Sequence, residues 1–370
     1  MNKKIARVLV AAMLVVPSAL GAQPGAPAKP GAPAVPAQPA KPGSAPAEKA
    51  ALIPVLDNSA YFEGEPAMVA EGLGFVEGPC WIKAGAGGHF AFCVLKSEGG
   101  AVYKLTDQGG AQPEVWFEPS GKAIGLARDP LGRLVLSEVQ GRCVTRRTAD
   151  GEGQAWSRRV LAEKFDGKRL NGPNDVVIAA DGSIYFTDPA LITKEAELEL
   201  DFGAVWRITP DGQLVLGAKM KLPNGLALSP DGRTLYVNEF GEGAVMRLAV
   251  GQDGSLGEPV QLADLKYLAA LYQRPVKGGA DGLRVDKDGN IYTTGPGGIW
   301  VLSGEGKPLA RLDVGATNLA FGGVDGKTLL ITASGGKVMK VRTKIAGWGE
   351  KGPGGKEPGG KEAGGKEPGK

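Results

Sequence analysis

Five stretches of the sequence, PLGRLVLSE, ADGSIYFTD, PDGRTLYVNE, KDGNIYTTG and VDGKTLLITA, each set a turn glycine ahead of an apolar strand-like run. Their glycines are Gly132, Gly182, Gly232, Gly289 and Gly326, spaced by 50, 50, 57 and 37 residues. A looser copy, KAGAGGHFAF with Gly85, precedes them. Asp-Gly turns joined to runs rich in Val, Ile and Tyr specify antiparallel hairpins. A unit of about 50 residues holding several short strands is the signature of a β-propeller. Six units predict six blades in an all-β fold. Little helix is expected; TKEAELELD has room for one short turn.

The same frame exposes a second pattern. Eight residues before each turn glycine stand Glu77, Ile124, Asn174, Asn224, Asp281 and Asn318. Five of these six are carboxylates or amides, and an apolar run such as VVIAA or LALSP follows them. Turn-forming residues at strand starts would tolerate a shift of a position or two, whereas this offset holds across unequal intervals. In a propeller the innermost strand of each blade runs along the central channel, so a fixed register on every inner strand makes a ring. Glu77, Asn174, Asn224 and Asp281 are expected to converge at one end of that channel, with Asn318 beside them. Facing carboxylates and amides are costly in a narrow tunnel unless a cation satisfies them. The ring is therefore expected to be a metal site.

All of the expected ligands are oxygen donors, which suits a hard cation; the irregular set favours Ca2+ over Mg2+. Zn2+ and Mn2+ are the other divalent alternatives. The single histidine, His89, falls outside the register and is expected in a blade-1 loop. Four protein ligands leave coordination positions for water and a substrate oxygen, as a catalytic ion requires.

The motifs FVEGPCW, NGPNDVVIAADGSIYFTDP, LPNGLALSPDGRTLYV and GGADGLRVDKDGNIY together resemble the gluconolactonase/regucalcin (SMP-30) family of six-bladed propellers, over nearly the whole domain. The resemblance implies a divalent cation, usually Ca2+, held by Glu77, Asn174, Asn224 and Asp281. It also implies hydrolysis of a sugar lactone or similar cyclic ester, with Asp281 as base or nucleophile; Asn174 and Asn318 are expected to orient substrate oxygens. Two positions depart from the family pattern. Ile124 stands where an Asn of an NGL motif is common, and Val139 where the His of a CEH motif falls. Ile124 would face the substrate, so a less hydrophilic lactone, or weak activity, is expected. Two other functions fit the same residues: a non-catalytic propeller stabilised by calcium that binds a ligand or protein, and phosphotriester hydrolysis at a similar site.

Several residues near the ring in sequence invite a role. Trp81, Phe92 and Trp206 are candidates for the pocket wall, although aromatic residues on propeller strands more often pack between blades. Arg169 and Arg284 are within reach of a substrate carboxylate but are expected to be exposed or at strand edges. Cys80 and Cys93 flank a hairpin centred near Ala86 and would face each other, which leaves a disulfide open.

The ends differ in composition from this domain, which is expected over 51–345. Residues 1–22, with Lys3, Lys4 and Arg7 before an apolar run and small residues, read as a secretory signal peptide. That places the protein in the periplasm or outside the cell. Residues 23–50 form a Pro/Ala-rich spacer and residues 346–370 a Gly/Lys/Glu/Pro-rich tail, neither able to build a core. The formal net charge of +3 includes the three basic residues of the leader, so nucleic acid is not an expected partner. No second membrane-length apolar segment occurs, so no insertion into a membrane is expected. A small-molecule substrate and a monomer are the expectations, because a propeller closes on itself without a partner.

Overall fold

The computed structural model describes residues 53–95, 98–149 and 155–349. The expected leader (1–22), the spacer (23–50) and residues 350–370 of the expected tail lie outside the described residues.

Six four-stranded antiparallel sheets form a six-bladed propeller. Blades 1 to 5 are consecutive meanders over residues 76–117, 123–162, 176–220, 223–264 and 283–312, each with its first strand innermost. Blade 6 is composite: residues 316–342 supply three strands, and Ala67–Ala70 adds the outermost one by pairing with Lys337–Arg342. Strands from the two ends of the domain thus share one sheet. The sequence gives little sign of this closing strand, since AMVA carries no turn glycine.

The repeated turns form for a local reason. Gly132, Gly182, Gly232, Gly289 and Gly326 all have φ between 69° and 89°, a region costly for any side chain bearing a Cβ. Beside each one an aspartate accepts the backbone N–H two residues on: Asp129 from Leu131, Asp181 from Ser183, Asp231 from Arg233, Asp286 from Asp288 and Asp325 from Lys327.

The core is divided into wedges between neighbouring blades. Phe186 and Trp206 of blade 3 pack with Val135 and Val144 of blade 2, and Trp300 of blade 5 packs with Val245 of blade 4. One short helix, α1 (Leu265–Leu271), joins blades 4 and 5. Asp264 caps it by accepting the Tyr267 N–H at 2.9 Å, and Leu265, Leu268 and Ala269 bury against the Trp300 wedge. The short turn expected in TKEAELELD is the 3-10 helix Glu195–Glu197.

Two expectations are corrected here. Cys80 and Cys93 are not opposite one another: a bulge after Glu77 pairs Cys80 with Ala91 and Cys93 with Glu77, and no disulfide forms. His89 is not in a loop but on the strand Gly87–Val94, half-buried edge-on against Trp116. Burial first, then Lys104 and Arg128, holds its pKa below the usual value. The described residues continue to Gly349. The Gly347 N–H donates to the Gly326 carbonyl and the Trp348 N–H to the Val285 carbonyl, laying this segment across one end of the channel.

Candidate active site

Glu77, Ile124, Asn174, Asn224, Asp281 and Asn318 all stand at or just before the start of the innermost strand of successive blades. Small residues let these strand starts close on one another. Gly78, Gly125, Gly225 and Gly282 each follow a ring residue, and a Cβ on any of them would overlap the next blade, at Ile124, Asn174, Asp281 and Asn318 respectively. Hydrogen bonds complete the circuit. The Gly225 N–H donates to the Asp281 carbonyl at 3.0 Å, and the Thr187 hydroxyl of blade 3 to the Asn224 carbonyl at 2.6 Å. From blade 6, the Asn318 amide donates to Glu77 Oε2 of blade 1 at 3.1 Å. The fold brings all six positions to one end of the channel.

The polar side chains there are nearly dehydrated: Glu77 is 5% exposed, Asn224 4%, Asp281 6% and Asn318 1%, with Asn174 half-buried. Burial pushes the Glu77 carboxyl up to about 7, against the pull of hydrogen bonds from the Gly78 N–H and Asn318. Asp281 is held well above the usual carboxylate range, first by burial and then by repulsion from Glu77 and Asp175. Neither Glu77 nor Asp281 forms an ion pair among the described residues. Asn224 Oδ1 is buried without any hydrogen-bond partner, a costly state for an amide oxygen. Two buried carboxylates and an orphaned carbonyl oxygen fit a hard divalent cation. No three His, Cys, Asp or Glu side chains among the described residues cluster closely enough to hold a metal, so such a site depends on the amides.

Asn318 is more constrained than its expected role implies. Its amide nitrogen goes to Glu77 and its Oδ1 accepts the Leu319 N–H at 2.8 Å, so the side chain chiefly orients Glu77. Ile124 packs against Leu95, and Phe75, Val139 and Ile192 lie against that pair. Trp81, Phe92 and Trp206 are elsewhere. Phe92 and Trp206 are fully buried between blades, and Trp81 lines a cavity of about 340 Å³ at the opposite end of the channel. Arg169 is tied to the loops, donating from its guanidinium to the Gly141 carbonyl at 3.0 Å.

Two further sets of residues support the ring. The first is Asp175 with Arg284. Asp175 is fully buried, and Arg284 of blade 5 reaches it at 3.1 Å while also donating to the carbonyls of Leu283 and Pro79. Arg284 is thus inside the channel and not at a strand edge as expected. The signal was Asp175 itself, which holds a register position where four other blades have glycine. The second set ends the second strands of blades 2, 3 and 4: Glu138, Asp188 and Glu239. Asp188 accepts the N–H groups of Asn171 and Gly172 at 2.9 and 2.7 Å, and burial pushes its pKa up to about 6. Glu239 accepts those of Leu222 and Lys221 at 2.7 and 3.2 Å. Both carboxylates clamp the segment leading into a ring asparagine. Glu138 binds Arg147 at 3.0 Å and Arg158 at 2.8 Å instead.

Residues 75–335 match the model of the SMP-30/Gluconolactonase/LRE-like region. A gluconolactonase of Zymomonas mobilis is 30% identical over 318 residues, covering 79% of this chain and 84% of that one. Among solved structures, a gluconolactonase from Xanthomonas campestris superposes with a TM-score of 0.61 at 28% identity, over 77% of this chain and 97% of its own. Regucalcin from Agrobacterium tumefaciens shares the fold at 20% identity, with a TM-score of 0.61 over 78% of this chain and 96% of its own. With its six blades, its ring of oxygen donors and a family match spanning most of its length, the chain belongs to the SMP-30/gluconolactonase family.

Proposed function

We propose that the ring is the active centre of a lactone hydrolase that works with a divalent cation, calcium foremost, held by Glu77, Asn174, Asn224 and Asp281. The observation that carries the metal is the orphaned Asn224 Oδ1 in the same dehydrated ring as Glu77 and Asp281. The names of the relatives above support a lactone as substrate. When bound, the cation supplies Lewis-acid polarisation of the lactone carbonyl and stabilises negative charge on its oxygen. Hydrolysis adds water to the carbonyl carbon and breaks the ring C–O bond, and the departing oxygen takes a proton. Asp281 is the base or nucleophile for that addition, a buried carboxylate at the ring with no ion-pair partner of its own among the described residues. Asn318 fixes the orientation of Glu77, and the half-buried Asn174 is the amide best placed to meet a substrate oxygen. Export rests on the leader-like residues 1–22.

The test is hydrolysis of a panel of aldonolactones and aliphatic lactones by the purified protein, with chelator and then with Ca2+ restored. Turnover lost on chelation and recovered with Ca2+ is the expected result. A rise in Tm with Ca2+ but no turnover of any lactone would favour a calcium-stabilised binding module.

A further inference from the structure

Among the described residues the apolar packing is divided among the wedges between blades, with one exception. Leu95 and Ile124 form a small separate cluster, with Phe75, Val139 and Ile192 half-buried against them. These five residues come from blades 1, 2 and 3, and all lie at the channel end that carries the ring. Phe75 is two residues before Glu77, and its carbonyl accepts the Leu95 N–H at 2.9 Å. Val139 directly follows Glu138, which pairs across the sheet with Ala123, the residue before Ile124. Ile192 belongs to the loop that leaves Asp188. The mouth therefore has two unlike sectors: oxygen donors from Asn174 through Asn224, Asp281 and Asn318 to Glu77, and a hydrocarbon wall around Ile124.

We infer that this wall receives an alkyl substituent on the lactone ring, so that the preferred substrate is an alkyl-substituted γ- or δ-lactone and not a polyhydroxylated sugar lactone. The inference rests on the lactone-hydrolase assignment of the ring. A lactone anchored by its carbonyl at the oxygen donors has this apolar sector as the neighbouring surface on the blade-2 side. Each methylene buried there gains about fourfold in transition-state binding. Each hydroxyl pressed against the same wall loses its water and finds no partner, a cost of about tenfold or more.

The experiment compares kcat/KM for γ-valero-, γ-octa- and γ-decalactone with that for glucono-δ-lactone, using the Ca2+-loaded full chain. Wild type should favour the longer alkyl lactones over gluconolactone, with kcat/KM climbing about fourfold per methylene until the wall is covered. Ile124→Asn should lower the alkyl-to-sugar ratio at least tenfold. Because Ile124 is nearly buried, Val139→Ser and Ile192→Ser at the half-buried rim serve as separate variants, each shifting the ratio the same way with chelator sensitivity intact. Preference for gluconolactone, with a ratio unmoved in the rim variants, would overturn the inference and leave the hydrolase assignment standing. Absence of turnover on every lactone would overturn both.

Discussion

At the mouth of the channel Glu77 and Asp281 are buried without an ion pair, and Asn224 Oδ1 is buried without a donor. One residue deeper, Asp175 is buried just as completely, yet Arg284 meets it at 3.1 Å from across the channel. Beyond that pair, the Gly347–Trp348 segment crosses the opposite end. The inner strands are the same at both levels. What differs is who completes the charge: the chain itself in the deeper layer, and, on the proposed function, a cation at the mouth. A buried carboxylate left unpaired costs stability and persists where function uses it.

Asp281→Asn should bring the largest change, lowering kcat/KM about a thousandfold. Tm without metal should stay level or rise, because repulsion with Glu77 and Asp175 is relieved. Steady-state kinetics and a melting curve on the same preparation decide this, and an active Asp281→Asn would remove the residue from catalysis. In the deeper layer the loss should fall on stability instead. Arg284→Met strands the Asp175 charge and should cost about 3 kcal/mol in urea unfolding. Adding Asp175→Asn to that variant should recover most of the loss, and a double-mutant cycle showing simple additivity would mean that the pair is not coupled.

A smaller effect sits in the pH dependence of the metal-free protein. The Glu77 pKa is about 7 in the fold, against a usual value of 4.5, so the folded state keeps its proton to higher pH than the unfolded chain does. Its contribution is therefore most favourable below pH 4.5, declines as pH rises toward 7, and is constant above. The slope of Tm over that window should be shallower in Glu77→Gln, and also in wild type with Ca2+, which favours the ionised form. The smallest change is expected at the closed end. Trp348→Ala should lower stability by about 1 kcal/mol and leave kcat/KM unaltered.

The parts of this arrangement that repeat were readable in sequence. The turn glycines fix where each blade's first hairpin folds, and a constant offset from them finds every ring residue, because an inner strand of fixed length carries register from the turn to the channel mouth. What does not repeat was hidden. The bulge at Gly78 and Pro79 moved Cys80 out of register with Cys93, and α1 interrupts a blade junction without a counterpart among the described residues. Arg284 and Asp175 are 109 residues apart; their pairing follows from the closure of the ring, which no local pattern encodes. The clamps at Asp188 and Glu239 lay within reach, since an acid ends the second strand in three consecutive blades, but only the structure shows which N–H groups they accept.

The composite sixth blade has a consequence for the order of assembly. Ala67–Ala70 leaves the ribosome before any other blade strand, yet its partner Lys337–Arg342 is made last. The Asn318–Glu77 hydrogen bond, spanning 241 residues, likewise joins blade 6 to blade 1. Blades 1 to 5 can collapse as they emerge, but the circle of side chains at the mouth stays broken until blade 6 is made. A nascent or C-terminally shortened chain without blade 6 would hold most of the hydrophobic core and all four proposed cation ligands, yet lack the Asn318 contact that orients Glu77.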